Sequence, residues 1–429
     1  MRIGRMGILI SGVALAALTL SGCAPGSSTS NTGSYNAEEV TVWYLNDAEA
    51  IVQQAIDRFE ADTPGVTVVA TAFSNDDYKV KRQVGLGTEA APDVFTSEGG
   101  ALLTEFVNAD QIIPLDDLAE SAGFVNSIGA GALDSRKIDG TLWAIPVLSD
   151  ASFVWYSKTI FDEVGVEVPA TWEDLIDVIG TLRAAGYDPI AMANKTQWPG
   201  SHWWSEIVTL ACGPAFLAGV TAGDPAFDFN DPCIVEAGER IQELVDAAAF
   251  NEGFNGLDYD SGESRQLFWN GTAAMNHMGN WLVAAAIAEA PEFVDQMDFF
   301  TLPAWNGAKG TSDMVTGGIG MSWSVAKKDG DSANAQKLVQ YLSDEKTGQT
   351  AADNGRIPVI AGPTLSDPLL QKVSETVNVA SAFQEWPNVV LNPTLTTVML
   401  EQVQALFGKD TTPEAAAAAM QAAYVESSN

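Results

Sequence analysis

The chain has 429 residues, more than one hydrophobic core usually serves, so several domains or one fold wound into two lobes is expected. Hydrophobic residues make up 46% and charged residues 18%, which excludes global disorder. With 21 Lys plus Arg against 56 Asp plus Glu the formal charge is −35, which excludes a nucleic-acid partner, and 2 His and 3 Cys are too few for a zinc or iron-sulfur framework, so no metal or cofactor is expected.

Arg2 and Arg5 precede an apolar run from Gly7 to Leu20, too short for a membrane span and suited to the apolar region of a signal peptide over residues 1–22. The run ends in Leu20-Ser21-Gly22-Cys23, which resembles the bacterial lipobox, where the cysteine sulfur is acylated and becomes the first residue after cleavage. Cys23 is the expected membrane anchor; the alternative is an ordinary signal peptide with a chance cysteine. Residues 23–37 are mostly small and polar and read as a flexible tether. Cleavage takes two of the 21 basic side chains and no acid, leaving 19 against 56, a formal charge of −37. With Cys23 lipidated and the chain outside the reducing cytosol, Cys212 and Cys233 are expected to form a disulfide rather than two free buried thiols.

Further along, Val40-Thr41-Val42-Trp43-Tyr44 alternates as a strand, Ile51, Val52, Ala55, Ile56 and Phe59 recur at helical spacing, and Val66–Ala70 is a second strand. This βαβ unit predicts a sheet under helices with loops at the strands' carboxyl ends, where Asn46 and Asp47 fall. Glu98 follows the strand Pro92–Thr96 at the same rim. Leu142–Pro146 and Ser152–Tyr156 read as strands flanking Asp150, and Thr171 as the N-cap of a helix to about Ala185. Helices are predicted at about 235–250 and 262–270, a short strand at Phe299–Pro303, and a glycine-rich strand at Gly317–Ser322 where another backbone or ligand approaches closely. Helices at 333–342, 392–407 and 413–425 complete the chain.

The lipobox, the Val-Thr-Val-Trp strand and the helix ending Phe59-Glu60-Ala61-Asp62-Thr63-Pro64-Gly65-Val66 together resemble the opening of extracellular solute-binding proteins of carbohydrate ABC importers. Pro92-Asp93-Val94, Ile113-Pro114-Leu115-Asp116, Asp139 to Pro146, Tyr156-Ser157-Lys158, Pro169 to Trp172, Ala273-Ala274-Met275 with Gly279-Asn280-Trp281, and Gly317-Gly318 continue it in order. The resemblance implies an α/β, two-lobed periplasmic-binding-protein-like fold of type II, each lobe a mixed sheet flanked by helices. It places residues 38–148 plus 304–355 in one lobe and 149–303 plus 356–429 in the other, with crossings near Ser149, Leu302 and Ile357. It further implies a monomeric, non-catalytic lipoprotein on the outer face of the cytoplasmic membrane; lipidation fits a Gram-positive cell, which has no outer membrane to retain a soluble receptor, with a Gram-negative lipoprotein the alternative. Such a receptor hands a mono- or oligosaccharide to membrane permease subunits.

Sugar chemistry narrows the residues. Pyranose hydroxyls need carboxylates or amides, and pyranose faces pack on aromatic rings. The expected ligand-binding set is Asn46, Asp47, Glu98, Asp150, Trp203, Asn280, Trp281, Arg356 and Trp386, with Trp198 an alternative to Trp203. Trp281 and Asp150 match positions where the family places a stacking ring and a sugar-binding acid. Trp43 and Trp172 are expected in the core, His202 and His277 in structural roles, and Arg356 has the alternative of tying the hinge by an ion pair. Two rival functions stay open: a secreted glycoside hydrolase using paired carboxylates such as Asp47 and Asp150, and a receptor for a peptide, polyamine or iron complex.

Overall fold

The alternating run after Glu38 forms the strand Glu39–Leu45, and the helix Glu49–Asp62 buries Ile51, Val52, Ala55, Ile56 and Phe59 against it. The strand Thr67–Phe73 returns parallel to the first, with Val42 opposite Ala70, and Val94–Ser97 pairs parallel on its other side. The computed structural model describes residues 33–427 apart from 222, 223 and 225. The signal segment, Cys23 and most of the tether therefore lie outside the described residues. Gly33 to Tyr35 are already pinned, because Tyr35 N donates to Asp329 O at 2.9 Å, Asp329 N to Gly33 O at 3.0 Å, and the Tyr35 hydroxyl to Ala326 O. Gly33 and Tyr35, at the end of the segment expected as a tether, are therefore hydrogen-bonded to the folded part of the chain. Among the described residues no helix is long and apolar enough to cross a membrane.

Two long strands carry the sheet from one core to another. In order across the sheet, Thr67–Phe73, Glu39–Leu45 and Val94–Ser97 are followed by Val315–Val325, Ile145–Ser157, Ala273–Gly279 and Asp188–Ala191. Ile145 to Ala151 pair antiparallel with Gly317 to Trp323, whereas Ser152 to Tyr156 pair with Ala273–Gly279. The register of Val315–Val325 slips around Gly320, and Ile357-Pro358 adds a third passage beside Ser149 and Leu148. On one side of these passages Phe59, Val94, Ile145, Trp323 and Leu338 share a core; on the other, Trp172, Trp204, Leu244 and Met399 share one, with Phe153, Trp155 and Phe299 beside it.

This packing moves one expected boundary. Trp305 is buried in the cluster of Trp172, and Val315 in that of Phe153, so residues 304–315 join the second core rather than the first. The passage expected near Leu302 falls at Gly317 to Met321, because the loop after Phe300 stays docked: Ala304 O accepts from Trp172 N at 3.2 Å, and the Arg240 guanidinium lies over the Trp305 ring. The Trp172 helix starts as its sequence dictates, since Thr171 Oγ1 accepts from Asp174 N and the Asp174 carboxylate accepts from Thr171 N.

Cys212 closes the helix Trp198–Cys212, and Cys233 opens the helix Pro232–Asp246; they are joined by a disulfide with the Cα atoms 5.1 Å apart. The chain-entropy model gives a loop of this length about 3 kcal/mol of stabilisation. The Cys212→Ser/Cys233→Ser double variant should therefore unfold at lower denaturant, with a slope as steep or steeper because the unbridged unfolded chain is less compact, and coincident unfolding curves would show that the bridge adds nothing.

Candidate ligand-binding site

Between the two cores, beside the passages, lies a cavity of about 690 Å³. Asn46 and Asp47 reach it from the turn after the first strand, Glu98 from the end of Val94–Ser97, and Asp150 from within Ile145–Ser157. Trp281 opens the helix Trp281–Glu289, Trp386 follows the short strand Phe383–Glu385, and Arg356 precedes Ile357-Pro358. Seven of the nine expected residues thus line one cavity; Trp203 and Asn280 do not.

At the passages, Arg356 bridges two carboxylates. Its Nη1 donates to Asp47 Oδ2 at 3.0 Å and its Nη2 to Asp150 Oδ2 at 3.2 Å. Asp150 and Arg356 are both buried, a position that costs several kcal/mol per ion unless the charges are paired and hydrogen-bonded. Burial alone would lower the Arg356 pKa, but Asp150 and Asp47 more than reverse this and hold it above its ordinary value. The remaining Asp150 oxygen accepts from Asn280 Nδ2 at 3.1 Å, and Asn280 Oδ1 accepts from Ala151 N at 2.6 Å. Asn280 is therefore fully buried behind the cavity wall, where it aims Asp150. A Cβ on Gly320 would stand 1.6 Å from Asp150 Oδ2, so the glycine-rich strand supplies the room this carboxylate occupies.

Aromatic rings also line the cavity. Trp386 stacks on His202 with centroids 4.7 Å apart and planes 2° apart, and its Nε1 donates to Ser152 Oγ at 3.1 Å. Trp281 meets Trp386 edge-on at 5.9 Å, and Trp198 at 6.2 Å, while its Nε1 donates to the Tyr259 hydroxyl at 3.2 Å. Trp198 and His202 are four apart on one helix and so share a face; Trp203, one residue further round, points the other way. Trp203 is 1% exposed and packs on Phe250 and His277, which makes it a core residue rather than a stacking platform. His277 fits the structural role expected of it, its Nε2 lying 2.9 Å from Glu206 Oε1, but His202 lines the cavity. Tyr259 and Arg265 also line it, and neither was suggested by the sequence.

Burial first, then the nearby His277 and Lys79, holds the His202 pKa well below the ordinary histidine value. The native state therefore keeps this ring neutral while the unfolded chain takes up a proton near pH 6.5, so stability is lost as pH falls below about 6.5 toward the depressed native value. On acidification from pH 7.5 to 5.5 the wild-type melting temperature should fall more than that of His202→Gln. Parallel slopes would place the acid sensitivity elsewhere.

The fold and the cavity define a class: two α/β bodies sharing crossing strands, with a polar and aromatic cleft where they meet. The family model for bacterial extracellular solute-binding proteins matches residues 18–349. The chain belongs to that family. It is similar to the multiple sugar-binding protein of Streptococcus mutans, 24% identical over 373 residues that cover 83% of this chain and 82% of that protein. A solved structure described by its work on xylan utilization by the thermophilic bacterium Caldanaerobius polysaccharolyticus superposes with a TM-score of 0.83 at 26% identity, covering 90% of this chain and 99% of the other. A chitin oligosaccharide binding protein shares the fold with a TM-score of 0.82 at 22% identity, over 91% and 98% of the two chains.

Proposed function

We propose that this chain is the sugar-capturing receptor of an ABC importer, closing its two lobes over a mono- or oligosaccharide and delivering it to membrane permease subunits. The observation that carries this is the cavity itself, lined both by the Trp281, Trp386 and Trp198 rings and by the Asp47, Asp150 and Arg356 polar cluster. Rings offer a surface to pyranose C–H faces and the charged groups offer partners to hydroxyls. The sugar ligand named for the Streptococcus mutans relative supports the same assignment. In this reading the first lobe comprises residues 38–148 with 321–355, the second 151–317 with 361–427, and the three passages between them form the hinge. A sugar touching both lobes binds the closed arrangement better than the open one, and that difference in affinity shifts the population.

The receptor would be a monomer held by an acylated Cys23 on the outer face of a Gram-positive membrane, and it would be non-catalytic. Burial pushes the Asp150 carboxyl up, as a general acid requires, but its two oxygens are held by Arg356 Nη2 and Asn280 Nδ2, so it is not free to give a proton to a leaving group. The test is a thermal-shift and calorimetric screen of residues 24–429 against mono-, di- and oligosaccharides, with amino acids, polyamines and iron chelates as controls. A rise in melting temperature with one sugar family, the sugar being recovered intact, is the expected result. Stabilisation by a control solute alone would overturn the sugar assignment, and recovery of shortened sugar would make the protein a hydrolase.

A further inference from the structure

The charges around the cavity do not balance. Its lining carries the carboxylates of Asp47, Glu49, Glu98, Asp150, Asp260 and Glu289 against three cations, Lys79, Arg265 and Arg356. The cations are already committed. Arg356 lies between Asp47 and Asp150, one cation against two carboxyls, of which burial and the neighbouring Asp47 push the Asp150 carboxyl up. Arg265 Nη2 donates to Glu289 Oε1 at 2.8 Å, with its Nε 3.2 Å from both Glu289 oxygens. Lys79 Nζ lies 3.8 Å from Asp76 Oδ1, just outside the lining. Glu98 Oε1 lies 3.8 Å from the buried Arg82, and Glu98 also acts on the buried Arg136 guanidinium.

A neighbouring acidic group adds to the excess. Asp76, at the start of the helix Asn75–Gly85, comes from the side of the first core, and Asp258 and Asp260 flank Tyr259 on the side of the second. Their carboxylate oxygens lie within 4.8 Å of one another. Asp260 of this group lines the pocket, in which, among the described lining residues, every cation already has a carboxylate beside it. The formal charge of −35 on the whole chain acts in the same direction at longer range.

We infer that the cleft selects by charge as well as by shape, accepting neutral or amino-bearing glycans and rejecting glycans that carry carboxylate, phosphate or sulfate groups. This rests on the sugar assignment above and narrows it. A neutral hydroxyl can donate to the unbalanced carboxylates, and an ammonium group is attracted by them. An anion gains no unpaired cation and meets repulsion in a cleft only partly screened by solvent.

The test is calorimetric titration with matched probes: glucose, galactose, cellotriose and xylotriose, each beside its acidic counterpart (glucuronate, galacturonate, C6-oxidised cellotriose and glucuronosyl-xylotriose). Glucosamine and the methyl esters of the four acids complete the set. For the scaffold that binds, the free acid should be about tenfold weaker or more than the neutral sugar, the ester should recover most of that loss, and the gap should narrow between 20 and 300 mM salt. An acid that binds as tightly as its neutral partner, or an ester as weak as its free acid, would overturn the charge selection while leaving the sugar assignment intact. Binding by none of these probes, neutral or charged, would overturn the sugar assignment and this inference with it.

Discussion

Trp281→Ala should weaken sugar binding by about 2 kcal/mol or more, roughly thirtyfold, while lowering the melting temperature far less than Trp386→Ala does. The contrast follows from how the two rings are held. Trp281 is partly exposed in the cavity wall, packed over Gly279, where a Cβ would come within 2.0 Å of the ring. Its removal empties part of a solvent-facing wall and leaves the Ala273–Gly279 strand paired as before. Trp386 is 5% exposed, stacks on His202 and donates a hydrogen bond to Ser152, so truncating it opens a void and removes one of the two partners of a buried hydroxyl. Calorimetric titration and thermal melts of both variants separate the roles. Equal stability losses in the two would make Trp281 a packing residue and remove it from the binding account.

Arg356→Ala should destabilise the protein by about 3–5 kcal/mol, because it strands the buried Asp150 carboxylate without its cation. Asp47 contributes less to this loss, since its side chain is 49% exposed and water can solvate it. The paired change Arg356→Met/Asp150→Asn should return most of the stability and leave binding impaired, as it removes polar groups lining the cavity but no longer buries an unpaired charge. Denaturant unfolding of the single and double variants, with the sugar titration repeated on the double, reads both effects. A single variant as stable as wild type would mean that the cluster is not the electrostatic tie between the passages described above.

Much of this arrangement is legible in local sequence. The βαβ opening, the capping box at Thr171, and the positions of Asp47 and Glu98 after strands follow from periodicity and turn chemistry. Asp150 shows where such signals end. Its polar neighbourhood and Pro146 read as a break between two strands, yet Ile145–Ser157 is continuous, because Arg356 and Asn280 neutralise and satisfy the carboxylate within the sheet. Those partners lie 206 and 130 residues away in sequence, beyond any local pattern.

The choice between Trp198 and Trp203 failed for a related reason. Nearly every residue of the helix Trp198–Cys212 is buried, so no polar face marks which side meets the cleft. The signal that was available is spacing: His202 lies one helical turn beyond Trp198, and the pair faces Trp281 together. The interleaving of residues 304–315 with the second core was likewise hidden, since it depends on the Arg240 and Trp172 contacts with Trp305 rather than on any break in composition.

The most direct test of the central claim is a crystal structure of residues 24–429 grown with the sugar that raises the melting temperature most. A pyranose ring is expected within about 4 Å of the Trp281 or Trp386 face, with its hydroxyls on the Asp47, Asp150 and Arg356 cluster and the two lobes closed around it. A sugar bound on an outer surface, with these rings and charges untouched and the cleft empty, would contradict it.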